Sequence, residues 1–354
     1  MAIPTAEEQL VFLSNMQRIL EEGSFVATYK FALILSLADY AVKYGDDSGD
    51  ATFLTTYDIA ETFIEYYWRQ AVPFVHGDDT SGLLSLKHST GNQPVILSRI
   101  SELHVAFNGS IPVAKRQTVL WHTLVKDVAR TIANMPLWKL QLVGGSHLQV
   151  LYTQIGSGCK IHLLPGVVFN LRRFYDMIRN LVQGAWANYI RRINRNILGG
   201  ADLFDHLFGA EREKQAGLRN LLRDVQSGTC FYCQGHLGEA GEIDHFVPWA
   251  RYPVDLGHNF VLAHKTCNQN KRDFLAAPPH LEHWQARNKN LGSYLSSEFD
   301  TCGILHNLGA TENIAYWAYK QAENSKSNLW QYKNHLEPIE TSWRRILDLV
   351  ISDN

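Results

Sequence analysis

Two spaced pairs of residues constrain this chain more than any other feature. Cys230 and Cys233 stand two residues apart, and so do His264 and Cys267 about thirty residues later. Each pair can place two soft ligands on one side of a tetrahedral ion. The intervening chain is therefore expected to fold back and close on one zinc. A closed site of this kind also supplies folding free energy to a module that could bury little core by itself. Separate buried cysteines beside a surface histidine would explain one C-x-x-C, but explain two matched pairs poorly. Cys159 and Cys302 have no such partner and are expected in the core. Five cysteines, an odd number, without a leader segment argue against a disulfide framework.

Between the two halves of that site lie Asp244-His245 and Pro248, followed by Asn259 and by Asn268 directly after Cys267. An adjacent Asp and His on a strand point to opposite faces unless the strand ends there, as Pro248 suggests it soon does. Alone, such a pair is more often structural than catalytic. The whole order, C-x-x-C, D-H-x-x-P, N-x-V-L-A, H-x-x-C-N-x-x-K, is specific. Over about residues 228 to 275 it resembles the ββα-metal fold of HNH endonucleases, in the zinc-bearing subgroup. His264 stands where that subgroup usually has a cysteine, and zinc accepts either. Asn268 stands where the family can have a third histidine, which makes this an H-N-N variant. The same substitution occurs in active members, including the HNH domain of RNA-guided CRISPR nucleases.

The resemblance implies a division of labour. His245 is the general base that takes a proton from water near pH 7. Asp244 and Asn268 hold one Mg²⁺ or Mn²⁺ through oxygen, and the ion stabilises charge at phosphorus and at the leaving 3′-oxygen. Products then carry a 5′-phosphate. Asn259 orients the loop that carries the His245 backbone. Cys230, Cys233, His264 and Cys267 hold a structural zinc. Lys271 and Arg272 are expected to open the following helix as phosphate contacts, with a solvated helix face as the alternative. His236 and His258 fall outside the pattern.

The rest of the chain is read from periodicity. With 354 residues it is long for one domain, and 45% hydrophobic with 19% charged residues is the profile of an ordinary soluble protein. Helices are expected over Leu10 to Leu20, Phe25 to Tyr44, Thr56 to Trp68, Val113 to Ala133 and Phe169 to Asn196. Residues from about 76 to 94, with Gly77, Gly82, Gly91 and Pro94, read as a loop. Leu137 to Val143, Leu148 to Gln154 and Lys160 to Leu164, separated by Gly-Gly and Gly-Ser-Gly, read as a small antiparallel meander. Gly199 and Gly200 suggest a boundary. A connecting helix is expected over Glu211 to Val225, and helix to the end beyond Pro278 and Pro279. The expected architecture is mainly α with a small β meander. Residues 1–199 form a helical regulatory or targeting domain, 200–277 the zinc-bearing HNH module, and 278–354 a helical extension.

Net charge is −2, so bulk charge does not favour a phosphate backbone. The cations are uneven, however. Arg172, Arg173, Arg179, Arg191, Arg192 and Arg195 crowd one stretch in which Asp176 is the only acid. That helix, Arg191 and Arg192 above all, could bind nucleic acid or form a solvated face. The longest apolar run, Phe31 to Val42, is too short to span a bilayer and carries Asp39. No signal peptide is visible. A cytoplasmic protein without a membrane partner is expected. Residues 1 to 200 contain no Walker motif and no dinucleotide fingerprint.

The leading expectation is an endonuclease acting on double-stranded DNA, an effector of bacterial restriction or anti-phage defence. Its helical region would engage a partner protein or another copy of the chain. The alternatives are a zinc knuckle that binds nucleic acid or protein without catalysis, and an RNase of the same fold.

Overall fold

Helix starts in the N-terminal half are written into the sequence. Thr5 and Glu8 form a reciprocal capping box at the start of α1 (Ala6–Glu22), and Thr55 with Asp58 does the same after strand β1 (Thr52–Thr55) for α3 (Thr56–Trp68). Between them, α2 (Tyr29–Tyr44) buries almost its whole circumference from Phe31 to Val42. It is a central core helix packed by α3 and by helices that come later in the chain. Its one buried acid, Asp39, accepts hydrogen bonds of 2.6 Å from the hydroxyls of Tyr66 and Tyr175. Gly45 ends the helix where a Cβ would lie 2.5 Å from Val168.

The computed structural model describes residues 3–23, 25–73, 86–91, 95–155, 159–194, 202–209, 216–238 and 241–351. Most of the residues expected to form the 76–94 loop, the Gly-Ser-Gly turn, Gly199, Gly200 and Arg195 lie outside that set. The chain forms two compact units, Met1–Gly209 and Ala210–Asn354. No described helix is long and apolar enough to cross a membrane.

The first unit continues through α4 (Val95–Ala106), α5 (Ile111–Arg116), α6 (Thr118–Asn134) and α7 (Pro136–Leu140). The two-residue strands β2 (Leu142–Val143) and β3 (Ser146–His147) follow, then β4 (Tyr152–Ile155), β5 (Lys160–Leu163), α8 (Val167–Arg173), α9 (Tyr175–Ile193) and α10 (Asp202–Phe208). Phe31, Tyr66, Tyr67 and Phe208 surround the fully buried Trp186 of α9.

The mainly helical architecture is as expected, with local corrections. The Phe25 to Tyr44 helix begins only at Tyr29. The Val113 to Ala133 helix is two, broken at Gln117 (φ −81°, ψ 69°). The Phe169 to Asn196 helix breaks at Phe174 (φ −111°, ψ 21°). Most of the first expected meander strand is α7, started by Pro136 at a position that needs no N–H. The three-stranded sheet instead recruits β1, in the antiparallel order β1-β5-β4. The Gly-Gly turn exists, with Gly144 and Gly145 both at positive φ between β2 and β3.

The second unit begins with α11 (Ala216–Val225), the described part of the expected connecting helix. It continues with the antiparallel strands β6 (Glu242–His245) and β7 (Phe260–Ala263), then α12 (Lys265–Lys271). The long α13 (Pro278–Cys302) and α14 (Leu308–Asn324) follow. The stretch expected to remain helical then forms a hairpin, β8 (Asn328–Tyr332) and β9 (His335–Pro338), before α15 (Ser342–Ile351). Trp330 explains the departure. It is buried, and its backbone bonds Leu275 and Ala277 just after the ββα segment.

Helix α13 underpins the β7 side of that segment. Trp284 stacks on Phe246 at 4.9 Å and donates to the His258 carbonyl. The buried Arg287 guanidinium donates to the carbonyls of His258 and Phe260, and burial pushes it down to about 10. Gly257 lies so close to Phe299 that a Cβ would stand 2.5 Å from its ring. The entry to β7 is thus fixed by packing as well as by strand pairing.

Candidate active site and metal centre

The knuckle before β6 is built by tight turns. Ser227, Gly228 and Gln234 adopt positive φ, and the Cys230 N–H donates to the Gly235 carbonyl at 2.8 Å. The Phe231 N–H donates to Leu262 in β7, which ties the knuckle to the sheet. His264 caps α12, so the second pair sits at that helix's first turn. The ligand atoms of Cys230, Cys233, His264 and Cys267 all lie within 4.8 Å of one another. A tetrahedral zinc imposes edges of about 3.5–3.8 Å on such atoms, so a small inward closure completes the site.

The surroundings fit a cation. Nδ1 of His264 faces the Cys233 sulfur at 3.2 Å, while Nε2 donates to the His236 carbonyl at 2.9 Å. That second contact fixes the tautomer and turns the Nδ1 lone pair toward the sulfurs. Burial, followed by the Cys230 and Cys233 sulfurs, pushes the Cys267 thiol up to about 12. A thiol pushed up this far is stabilised as a thiolate by a positive ion beside it. The cluster is therefore compatible with metal binding. Cys159 is half-buried and Cys302 is exposed, so Cys302 is not the core residue expected.

On β6, Asp244 pairs with Val261 and His245 with Phe260, so adjacent side chains leave opposite sides of the strand as it ends. Asp244 is 8% exposed. Its Oδ2 accepts from the Tyr232 hydroxyl at 2.5 Å and lies 3.1 Å from the Lys271 ammonium. Burial, then the Asp244 carboxylate, pushes the Tyr232 phenol well above its ordinary value, so it remains a donor. Oδ1 of Asp244 has no protein partner among the described residues. The half-buried Asn268 donates through Nδ2 to Glu242 at 3.2 Å, which leaves its carbonyl oxygen available. Two hard oxygen donors therefore come from β6 and α12, as a Mg²⁺- or Mn²⁺-sized ion would require.

Asn259 lies across the loop from the end of β6. Its amide exchanges two hydrogen bonds with the Val247 backbone, at 2.8 and 2.9 Å, and its carbonyl accepts from Phe246. The backbone immediately after His245 is fixed by these three bonds. The His245 ring packs on Phe260 and Trp249, and its Nε2 lies 2.7 Å from the Asp255 carboxylate.

Lys271 requires a correction. It closes α12 and does not open a helix, and its side chain is 0% exposed. Its ammonium pairs with Asp244 and donates to the His245 carbonyl at 2.9 Å. A cation enclosed in this way cannot meet a phosphate. Arg272 is exposed, at φ 49° and ψ −129°, a conformation that suits glycine.

The arginine stretch divides similarly. Arg172 is buried, paired with Asp47 at 2.8 Å and donating to the carbonyls of Ala41 and Val42. Arg191 and Arg192 are exposed at the end of α9, touching Asn188 and the Tyr189 ring respectively.

Three residues of this neighbourhood escaped the sequence reading. Glu242 shares a strand face with Asp244, so period-two alternation could have found it. Tyr232, inside the C-x-x-C, carried no signal beyond its position. Asp255 lies in an irregular loop and carried none.

Two family comparisons match separate parts of the chain. The family described as HNH endonuclease matches residues 230–277. The family described as Domain of unknown function (DUF8808) matches residues 10–207, more than half of the chain. No curated protein and no solved structure matches it.

Proposed function

Because the chain belongs to the family described as Domain of unknown function (DUF8808) and carries an HNH endonuclease domain at residues 230–277, we propose that it is a metal-dependent endonuclease cutting double-stranded DNA. What supports this reading is that Asp244 and His245 on β6, Asn259 just before β7 and Asn268 on α12 all belong to the ββα segment that carries the Cys/His cluster.

Each residue has a task in this reading. Cys230, Cys233, His264 and Cys267 hold zinc and so fix the knuckle against β7. Asp244 and Asn268 bind Mg²⁺ or Mn²⁺ through their unshared oxygens. An ion held there supplies Lewis-acid stabilisation of charge at the scissile phosphate. His245 takes the proton of the attacking water. Lys271 holds the His245 carbonyl, and Asn259 holds the backbone immediately after it. Arg272 reaches toward the phosphate backbone, and Arg191 and Arg192 of the first unit add non-specific contacts.

The two-part construction, an HNH domain joined to an unrelated helical domain, suits an effector of bacterial restriction or anti-phage defence. The first unit would then engage a partner protein, or a second copy, in the cytoplasm.

Incubating the purified protein with Mg²⁺ or Mn²⁺ and plasmid, linear, single-stranded and RNA substrates tests the proposal. Metal-dependent nicking or linearisation of plasmid is expected. Cleavage of RNA alone would make it a ribonuclease. Binding without cleavage of any substrate would make it a zinc-knuckle binding protein.

A further inference from the structure

Resting on the nuclease reading, we infer that Asp255 is the positioning residue of the general base, which makes Nδ1 of His245 the atom that takes the proton from water. A neutral imidazole has one N–H and one lone pair. An ionised carboxylate can only accept, and Asp255 Oδ1 lies 2.7 Å from His245 Nε2. The N–H therefore sits on Nε2, and the lone pair on Nδ1. No protein group among the described residues bonds that second nitrogen.

The contact is held by structure on both sides. The His245 ring is wedged between Phe260, 4.8 Å away, and Trp249, 5.5 Å away. The loop carrying Asp255 is anchored before it by the buried Tyr252, whose ring meets Trp317, and after it by the Gly257 N–H donating to Leu305. The side chains of His245 and Asp255 are 23% and 32% exposed. With the imidazole neutral, the contact is one hydrogen bond between partly exposed side chains and adds little to stability. Removing the carboxylate is thus expected to leave the fold in place and to disturb only the ring.

In the reaction the water proton passes to Nδ1, and the hydroxide forms the new P–O bond. The P–O3′ bond breaks, and the 3′-oxygen leaves with its electron pair and is protonated by solvent. Asp255 keeps its charge throughout. It stabilises the imidazolium and fixes the ring so that only one edge faces the phosphate.

The test uses full-length, zinc-loaded protein with ¹⁵N-labelled histidine, with His245 resonances assigned by comparison with His245→Gln. Long-range ¹H–¹⁵N spectra are expected to show a protonated Nε2 and an unprotonated Nδ1. In Asp255→Asn the amide can donate to Nε2, so the tautomer should shift toward Nδ1–H. Its kcat should fall about 10–100-fold with KM and zinc content unchanged. Asp255→Glu should recover part of the loss. Cleavage by a wild-type protein whose His245 is protonated at Nδ1 overturns the inference and leaves the nuclease reading intact, as does wild-type kcat in Asp255→Asn. The expected tautomer in a protein that cuts no substrate overturns the nuclease reading instead, and with it the assignment of a base.

Discussion

Replacing Lys271 by methionine separates two roles that a lysine beside a nuclease site can have. The side chain is 0% exposed, with its ammonium 3.1 Å from Asp244 Oδ2 and 2.9 Å from the His245 carbonyl. Methionine keeps most of the volume and removes the charge. Asp244 then stays buried with only the Tyr232 hydroxyl as a donor. Stranding one member of a buried ion pair costs about 3–5 kcal/mol. The Tyr232 hydroxyl still donates to the carboxylate, so the low end of that range, about 3 kcal/mol, is expected. Urea unfolding of the zinc-loaded chain, followed by zinc release, should show a midpoint lowered by that free energy divided by the slope, with the slope itself unchanged. Mg²⁺ or Mn²⁺ should restore part of the loss, since an ion on Asp244 replaces the missing charge. The dependence of DNA affinity on salt should not change. A phosphate-contacting lysine would behave in the opposite way, with little loss of stability and a salt slope shallower by about one unit. That second pattern would refute the burial argument.

Cys233→Ser should lower zinc content from about one per chain and release the C-terminal unit into aggregation or proteolysis; unchanged zinc by elemental analysis would remove Cys233 from the ligand set. Arg272→Gly should raise the melting temperature of that unit, since the backbone strain relieved is about 1–3 kcal/mol, while weakening DNA binding; a lower melting temperature would show that the side chain is structural. Arg191→Glu combined with Arg192→Glu should weaken DNA binding and flatten its salt dependence without affecting folding, because both side chains are exposed. An unchanged affinity would make them a solvated face.

Local signals made part of this legible. The helix Thr56–Trp68 has the boundaries its capping residue and hydrophobic period indicate, because both act within a turn or two. The four Cys/His ligands come together for a related reason: two short spacings each confine a pair, and only the closure between pairs is long-range. Where tertiary contacts decided, the sequence was silent or misleading. Strand β1 exists because Lys160–Leu163 pairs with it from far along the chain, a contact that no local pattern indicates. Lys271 reads as an exposed cation at the start of a helix. Whether it faces water depends on Asp244 and Tyr232, which arrive from a strand and from the knuckle. The Asp255 contact crosses an irregular loop that no periodicity describes. The hairpin Asn328–Tyr332 with His335–Pro338, in a stretch expected to be helical, depends on the buried Trp330 and its backbone bonds to Leu275 and Ala277, which no local pattern shows.

The central claim is that His245 performs the chemistry while the Cys/His cluster only builds the site. Cleavage of plasmid DNA by His245→Ala, with zinc content and DNA affinity measured on the same preparation, tests it most directly. The account predicts unchanged zinc, unchanged affinity and a rate about 10²–10⁴-fold below wild type, the usual contribution of a general base. Cleavage by the variant at the wild-type rate would contradict it.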